Sequence, residues 1–271
     1  MNFEALHNLD LYQMAVQHPL SEAFFLARAY EELNNFEQAS ILREDFCGSA
    51  AVSLAWVMTD PNRHALAIDS DTPTLAYAQK QIDEQPDQIG RNVTLICDDV
   101  RRVSPPAVSH AHLIASLNFS TLIFKTEASL LDYFKRCLKN LSPGGIFVMD
   151  LFGGPGSQQV GIANRHMELD DDQSMIYHWE QRSYNPQTQD IDCRIHFTLP
   201  DQSVRRDAFV YDWRLWEVPQ LLALMRQAGF AHREVWGEHI LPDGQASGHY
   251  EAIDQLPASK DWVVYLIAQK H

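Results

Sequence analysis

Positive charge is scarce in this chain of 271 residues: 21 lysines and arginines face 36 aspartates and glutamates, a formal net charge of −15. Such a surface repels phosphate backbones and anionic lipid heads within a Debye length, which argues against nucleic-acid and membrane partners. Cysteine is sparse as well. Cys47, Cys97, Cys137 and Cys193 lie far apart and form no Cys-x-x-Cys pair, so neither a disulfide framework nor a structural zinc motif is expected. No apolar run approaches the ~20 residues of a membrane-spanning helix. The opening MNFEALHNLDLYQ carries Glu4 and Asp10 and no basic start ahead of an apolar core, so no secretory signal is expected and a reduced, cytoplasmic protein is. Repeats and low-complexity tracts are missing. Apolar residues at 45% and charged residues at 21% are ordinary globular usage, which excludes disordered, collagen-like and coiled-coil chains. The length suits one core with an elaboration or a small second lobe.

What is present is an alternation. Apolar residues recur at helical spacing from Leu9 to Leu33, broken by Pro19, which predicts two helices. Short apolar strands are then predicted at Ser40–Phe46, His64–Ile68, Val93–Cys97, Ala111–Leu117 and Ile146–Leu151. Helices are predicted between them at Ala50–Met58, Pro73–Ile82 and Glu127–Leu141, the second capped by Asp71 or Thr72. Continuous apolar strands alternating with helices mean a parallel sheet covered on both faces. After Gly153 the rhythm changes to three longer strands, Met175–Tyr184, Ile191–Leu199 and Val204–Trp216. The middle one places Ile191, Cys193, Ile195, Phe197 and Leu199 on one face and Asp192, Arg194, His196 and Thr198 on the other. A helix from Pro219 to Ala228 stops at Gly229, and strands at Phe230–Trp236 and Trp262–Ala268 close the chain.

In such a sheet ligands bind beyond the carboxyl ends of the strands. The first three strands end there in Arg43-Glu44-Asp45-Phe46-Cys47-Gly48-Ser49-Ala50, Ile68-Asp69-Ser70-Asp71 and Cys97-Asp98-Asp99-Val100. Small residues at 48–50 let backbone N–H groups approach a ligand. An acid closing the second strand can accept from both hydroxyls of a ribose. An acid beside the glycine turn suits an ammonium group and repels a pyrophosphate.

This arrangement resembles the class I S-adenosylmethionine-dependent methyltransferases over about residues 40–151. Glu44 to Ala50 is similar to the family's acidic-x-Gly-x-Gly-x-Gly loop, with Gly48 at the central glycine and Phe46 and Ala50 standing where glycine is usual. Asp69 matches the ribose-binding acid and Asp99 the adenine-side acid, with Val100 donating from its backbone. Ser116-Leu117-Asn118-Phe119 matches the segment beneath the methionine moiety, and Ser142-Pro143-Gly144-Gly145 the turn before the fifth strand. The resemblance implies a seven-stranded, doubly wound, Rossmann-like α/β sheet with an inserted antiparallel meander and N-terminal capping helices. It implies S-adenosyl-L-methionine as cofactor and S-adenosyl-L-homocysteine as product. The cofactor residues would be Glu44, Phe46, Cys47, Gly48, Ser49, Asp69, Ser70, Asp98, Asp99, Val100, Ser116 and Leu117. The expected division is a cap over 1–37, a core over 38–154 and 217–271, and a substrate lid over 155–216.

Methyl transfer is an in-line displacement that relies on positioning, and a base is needed only for a protonated acceptor. Substrate-side candidates are Asn118 and Phe119 after the fourth strand, Tyr12, Gln17 and Tyr30 in the helices, and His178, Arg182, Arg194, His196 and Tyr211 in the meander. Of these His178 or Tyr12 would be the base, Asn118 a further catalytic group and a meander arginine the reader of an acidic group. The segment after the fourth strand is no Asn/Asp-Pro-Pro-Tyr and no basic-aromatic cluster exists, so a small molecule methylated on N or O is favoured over nucleic acid. A homodimer and a peptide acceptor stay open. Blander readings make Cys47 a packed residue, Asp98 a solvated loop acid and His110-x-His112 a loop edge rather than a metal pair. Two other functions stay open: a nicotinamide-dependent oxidoreductase, disfavoured by the missing Gly-x-Gly-x-x-Gly, and a non-catalytic cofactor-binding scaffold.

Overall fold

The computed structural model describes residues 6–103, 110–169, 173–241 and 246–271. Residues 1–5 of the expected cap and 170–172 of the expected lid lie outside that set. Helices α1 (Asn8–Val16) and α2 (Pro19–Leu33) open the chain, parted where Pro19 takes a first-turn position. There follow β1 (Ile41–Asp45), α3 (Ala51–Thr59), β2 (His64–Asp69), α4 (Thr72–Asp83), the single turn α5 (Asp87–Gly90), β3 (Val93–Cys97), β4 (Ala111–Ser116), α6 (Glu127–Asn140) and β5 (Leu141–Gly153). The Asp71 carboxylate caps α4 by accepting from the Thr74 N–H at 2.9 Å. The second half runs β6 (Gly161–Glu168), β7 (Ser174–Tyr184), β8 (Asp190–Thr198), β9 (Val204–Arg214), α7 (Val218–Ala228), β10 (His232–Ile240), β11 (Ala246–Ala252) and β12 (Trp262–Gln269).

The main sheet has the order β11-β10-β12-β5-β4-β1-β2-β3. Strands β1 to β5 are parallel, whereas β12 runs antiparallel between β5 and β10. The chain moves from β1 outward to β3 and returns to β4 on the other side of β1. The order therefore reverses at β1/β4, and the crevice above those two carboxyl ends is where such a sheet accepts a ligand. The Rossmann-like methyltransferase sheet is present, with two corrections to the strand count. It has eight strands rather than seven because β11 adds an edge, and the meander has four rather than three because β6 precedes it. Both extra strands are polar. Seven of the eight residues of β6 are exposed, so it is held by backbone pairing to β7 and carries no apolar alternation.

Alternation within β1 decides which side chains meet the site. Leu42 and Glu44 face α2 and α3, while Arg43 and Asp45 face α6. Arg43 and Asp45 are fully buried and paired twice, Nε to Oδ1 at 2.7 Å and Nη2 to Oδ2 at 3.0 Å; the Tyr133 hydroxyl donates to the same carboxylate at 2.8 Å. This network holds the carboxyl end of β1 against α6. His112 holds the other end, its Nδ1 accepting from the Ile41 N–H at 3.1 Å, a structural use that answers the His110-x-His112 spacing. Replacing Asp45 by Ala leaves a buried guanidinium unpaired and should cost about 3–5 kcal/mol of stability, read as a lower urea midpoint. A variant within experimental error of the parent would show that the pair does not hold β1.

Candidate functional site

The first three strand tips are stitched together by backbone. The Cys47 N–H donates to the Ile68 carbonyl at 2.9 Å, and the Asp98 N–H donates to the Asp69 carbonyl at 3.1 Å. Asp69 completes the seam, one oxygen accepting from the Gly48 N–H and the other from the Asp71 N–H, both at 2.9 Å. Gly48 sits at φ +54°, in the left-handed region, and a Cβ built there would meet nothing within 4 Å, so the loop carries an open cradle beside Asp69. Cys47 is buried and supplies backbone only, and its thiol is pushed up by burial and by the Glu44, Asp69 and Asp45 charges. Phe46, also at positive φ, turns its ring outward from the cradle onto Phe124 and Tyr133. Ser49 borders a separate recess with Gln17 and Leu54, and Ser70 is exposed. Val100 and Leu117 are buried, and the buried Ser116 hydroxyl has no hydrogen-bond partner among the described residues. Asp99 is held below the usual carboxylate range chiefly by its hydrogen bond with Arg101, and Asp98 accepts from the Asp99 N–H at 2.7 Å.

Glu44 is turned inward, accepting from both the N–H and the hydroxyl of Ser53 on α3. Burial pushes its carboxyl up to about 8 against those two bonds, with Glu22 and Asp69 adding repulsion. Glu22 on α2 is pushed up to about 7 by burial, and its enclosed Oε2 has no hydrogen-bond partner among the described residues. Asp150, in β5, is likewise pushed up to about 7 by burial. No arginine or lysine stands among the main influences on any of the three. Carboxylates from α2, β1, β2 and β5 thus converge on the crevice with no cation among the described residues acting strongly on them.

Asp150 is the site residue that the sequence patterns did not reveal. Its Oδ2 accepts from the Asn118 N–H and its Oδ1 from the Phe119 N–H, each at 2.8 Å. Both residues lie in the left-handed region, at φ +56° and +60°, a strained pair that the carboxylate clamps. The only sequence signal was an acid inside the apolar run IFVMDL.

Beside this clamp lies a cavity of about 470 Å³ roofed by the meander. Asn118, Phe119 and Phe152 form its floor, Tyr177, Trp179, Gln181, Ile195, Tyr211 and Trp213 its roof, and Tyr12 and Val16 of α1 one side. The polar candidates of the meander other than Tyr211 lie away from this cavity. His178 points to the opposite face of the meander, its Nδ1 bonded to Asn164 Oδ1 at 2.7 Å and its Nε2 to the Thr198 hydroxyl at 2.8 Å. Arg182, Arg194 and His196 share that face with Glu180 and Asp207. The period of two put the polar residues on one face as expected, but the apolar, aromatic face is the one that closes the cavity. Tyr12 does line the cavity, yet burial and the neighbouring Tyr211 hold its phenol well above its ordinary range. Among the other helical candidates, Tyr30 is buried against His112 and Gln17 borders the separate recess.

No family model and no curated protein sequence matches the chain. Solved structures do. DesVI of Streptomyces venezuelae is similar with a TM-score of 0.71 at 17% identity, over 97% of each chain. The CcbJ methyltransferase of Streptomyces caelestis gives 0.69 at 16%, over 95% of this chain and 98% of that one. CalS10 of Micromonospora echinaspora, an amino pentose methyltransferase solved with S-adenosylmethionine bound, gives 0.67 at 14%, over 97% and 96%. At such identities the likeness establishes the fold, meander included. No helix of the described residues is long and apolar enough to cross a membrane.

Two outcomes are expected. Carboxyls raised on folding bind protons that the unfolded chain has released, so the ligand-free protein loses stability as pH rises from about 4.5 towards about 8. Thermal unfolding followed by circular dichroism should show a falling midpoint over that range, and Glu44→Gln, which keeps an acceptor for Ser53, should flatten the fall. An unchanged profile in that variant would remove Glu44 from the cluster. Asp150→Asn offers one acceptor oxygen where two N–H groups need one each, and should cost about 1–3 kcal/mol in urea unfolding. A stabilised variant would mean the clamp is not needed.

Proposed function

We propose that this chain transfers a methyl group from S-adenosylmethionine to a small-molecule acceptor enclosed under the meander. The observation that carries the reading is the crevice at β1/β4: carboxylates without a cation, an open glycine cradle and an acid-clamped loop leading into a roofed cavity. A ligand bearing both a sulfonium and an ammonium suits that demand for positive charge. The enclosed, unpartnered Oε2 of Glu22 and the unpartnered hydroxyl of Ser116 leave polar groups for it to satisfy.

Residue roles follow from placement. Asp69 would hold the ribose hydroxyls, the Gly48 cradle and loop 46–49 would take the amino-acid portion, and the Asp98–Val100 tip would flank the adenine. Glu44 shapes the cradle by bracing α3 through Ser53, and its charge, with that of Glu22, favours a cationic ligand. The bound sulfonium supplies an electrophilic methyl. Asn118 and Phe119, fixed by Asp150, form the wall between the crevice and the cavity, so the clamp sets the line along which an acceptor reaches the methyl. Gln181 borders the same space and is itself fixed, its Nε2 donating to the Ser157 carbonyl at 2.9 Å. Tyr12, neutral at working pH, offers a hydroxyl that orients an acceptor. The division into a cap over 1–37, a core and a lid over 155–216 fits this reading, as does a cytoplasmic enzyme with methyl acceptors in its own compartment. The DesVI and CalS10 likenesses, each over 97% of this chain, support it.

Titration calorimetry should find S-adenosylmethionine binding that tightens between about pH 6 and pH 8 as the carboxyls ionise. Asp69→Ala should weaken it by about tenfold or more, the loss of a charge-assisted pair of hydrogen bonds. Binding of a reduced nicotinamide dinucleotide in its place would overturn the reading.

A further inference from the structure

The cavity wall is aromatic to an extent that a merely apolar pocket does not need. Phe119, Phe152, Tyr177, Trp179, Tyr211 and Trp213 all border it, with Tyr12 completing the side. Five of them, Phe119, Phe152, Trp179, Tyr211 and Trp213, meet ring to ring. Tyr211 stacks on Trp213 with centroids 4.1 Å apart, Phe119 meets Phe152 edge-on at 4.9 Å, and Trp179 lies 6.0 Å from Trp213. Aromatic faces carry the negative end of a quadrupole and attract cations, tryptophan most strongly. One wall ring already does so from within the protein: the Arg165 guanidinium lies 5.1 Å from the centre of Tyr177.

The electrostatics point the same way. Among the described residues lining the cavity, Lys260 is the sole cation; it is exposed, and Asp261 lies next to it. Asp150 lies just behind the Asn118–Phe119 wall, and its field reaches Tyr12 across the cavity. Arg182 and Arg194 are on the far face, paired with Glu180, Asp192 and Asp207, and Arg165 is spent on the Tyr177 ring and the Ala15 carbonyl. A carboxylate or phosphate entering this space would meet ring faces and a buried acid, with the exposed Lys260 as the one lining cation among the described residues to offset its desolvation.

From this we infer that the cavity is an aromatic cage for an alkylammonium group and that the acceptor is an aliphatic amine, methylated to tertiary or quaternary level. The inference deepens the methyltransferase reading and rests on it for the reaction, though not for the binding. A protonated amine first gives its proton to water. Its lone pair then forms the N–C bond as the S–C bond breaks, the bonding pair staying on sulfur, and the positive charge ends on nitrogen. The ring faces meet that charge, whereas a methylated hydroxyl ends as a neutral ether and gains nothing from them.

The test uses two probes of one shape. Choline and 3,3-dimethylbutan-1-ol differ in a nitrogen-for-carbon replacement that carries the charge, and each gives a nine-proton singlet for saturation-transfer NMR on the full chain without cofactor. Choline is expected to bind about tenfold more tightly than the alcohol. Trp213→Leu and Trp179→Leu are each expected to lower the choline affinity several-fold while leaving the alcohol's unchanged. Equal affinities, preference for the alcohol or no binding of either overturns the cage, and these comparisons in the parent protein need no variant to fold. Calorimetry with S-adenosylmethionine is run in parallel. Its failure would remove the methyltransferase reading and leave the choline result standing on its own.

Discussion

Four carboxylates from four different elements converge above β1 and β4, and burial works against the charges of three of them. Glu22, Glu44 and Asp150 are all displaced towards neutrality for that reason, and each lacks a lysine or arginine to offset the cost. Elsewhere the protein pairs its buried charge: Arg43 and Asp45 lie two residues apart on the other face of β1 and offset each other's charge. One strand therefore presents a neutralised face to the core and an uncompensated one to the crevice. That asymmetry makes the crevice a place for a cation.

The strained loop after β4 depends on the same constraint. Two consecutive residues without glycine's freedom hold positive φ because Asp150 accepts from both N–H groups. Strain of this kind persists where the surroundings over-determine it, and it is concentrated at functional positions. The clamp joins the two halves of the site, since its acid belongs to the main sheet and the residues that it fixes border the cavity under the meander. Contacts from the loop after β4 tie that roof down in turn: Lys125 reaches Asp190 at 3.1 Å, and the Trp216 indole donates to the Phe124 carbonyl at 3.1 Å.

Much of the sheet was legible in the sequence because burial on both faces leaves continuous apolar strands, and because Pro19, Asp71, Gly229 and the Ser142–Gly145 turn punctuate them. Strands β6 and β11 were not legible, for edge pairing uses backbone groups that every residue has. The strand-tip loops at Gly48, Asp69 and Asp99 were found through their order along the chain, and the structure brings the first two within hydrogen-bond distance. His178 stood out because a polar face looks functional when strands are read singly, whereas the cavity is closed by the opposite face. Only the packing of the second sheet against α1 and the end of β5 decides which face is inside.

The sequence by itself determined the alternation of strand and helix, the acids at the strand ends and the scarcity of positive charge, since these depend on local periodicity and composition. Tertiary structure alone decided that Glu22 joins Glu44, that Asp150 clamps residues 118 and 119, and that aromatic rings rather than arginines line the cavity. Glu22 and Asp150, which act on each other's charge, lie about 130 positions apart in the chain. No local pattern encodes such a meeting, because it is set by which strand ends the crossover at β1 brings side by side.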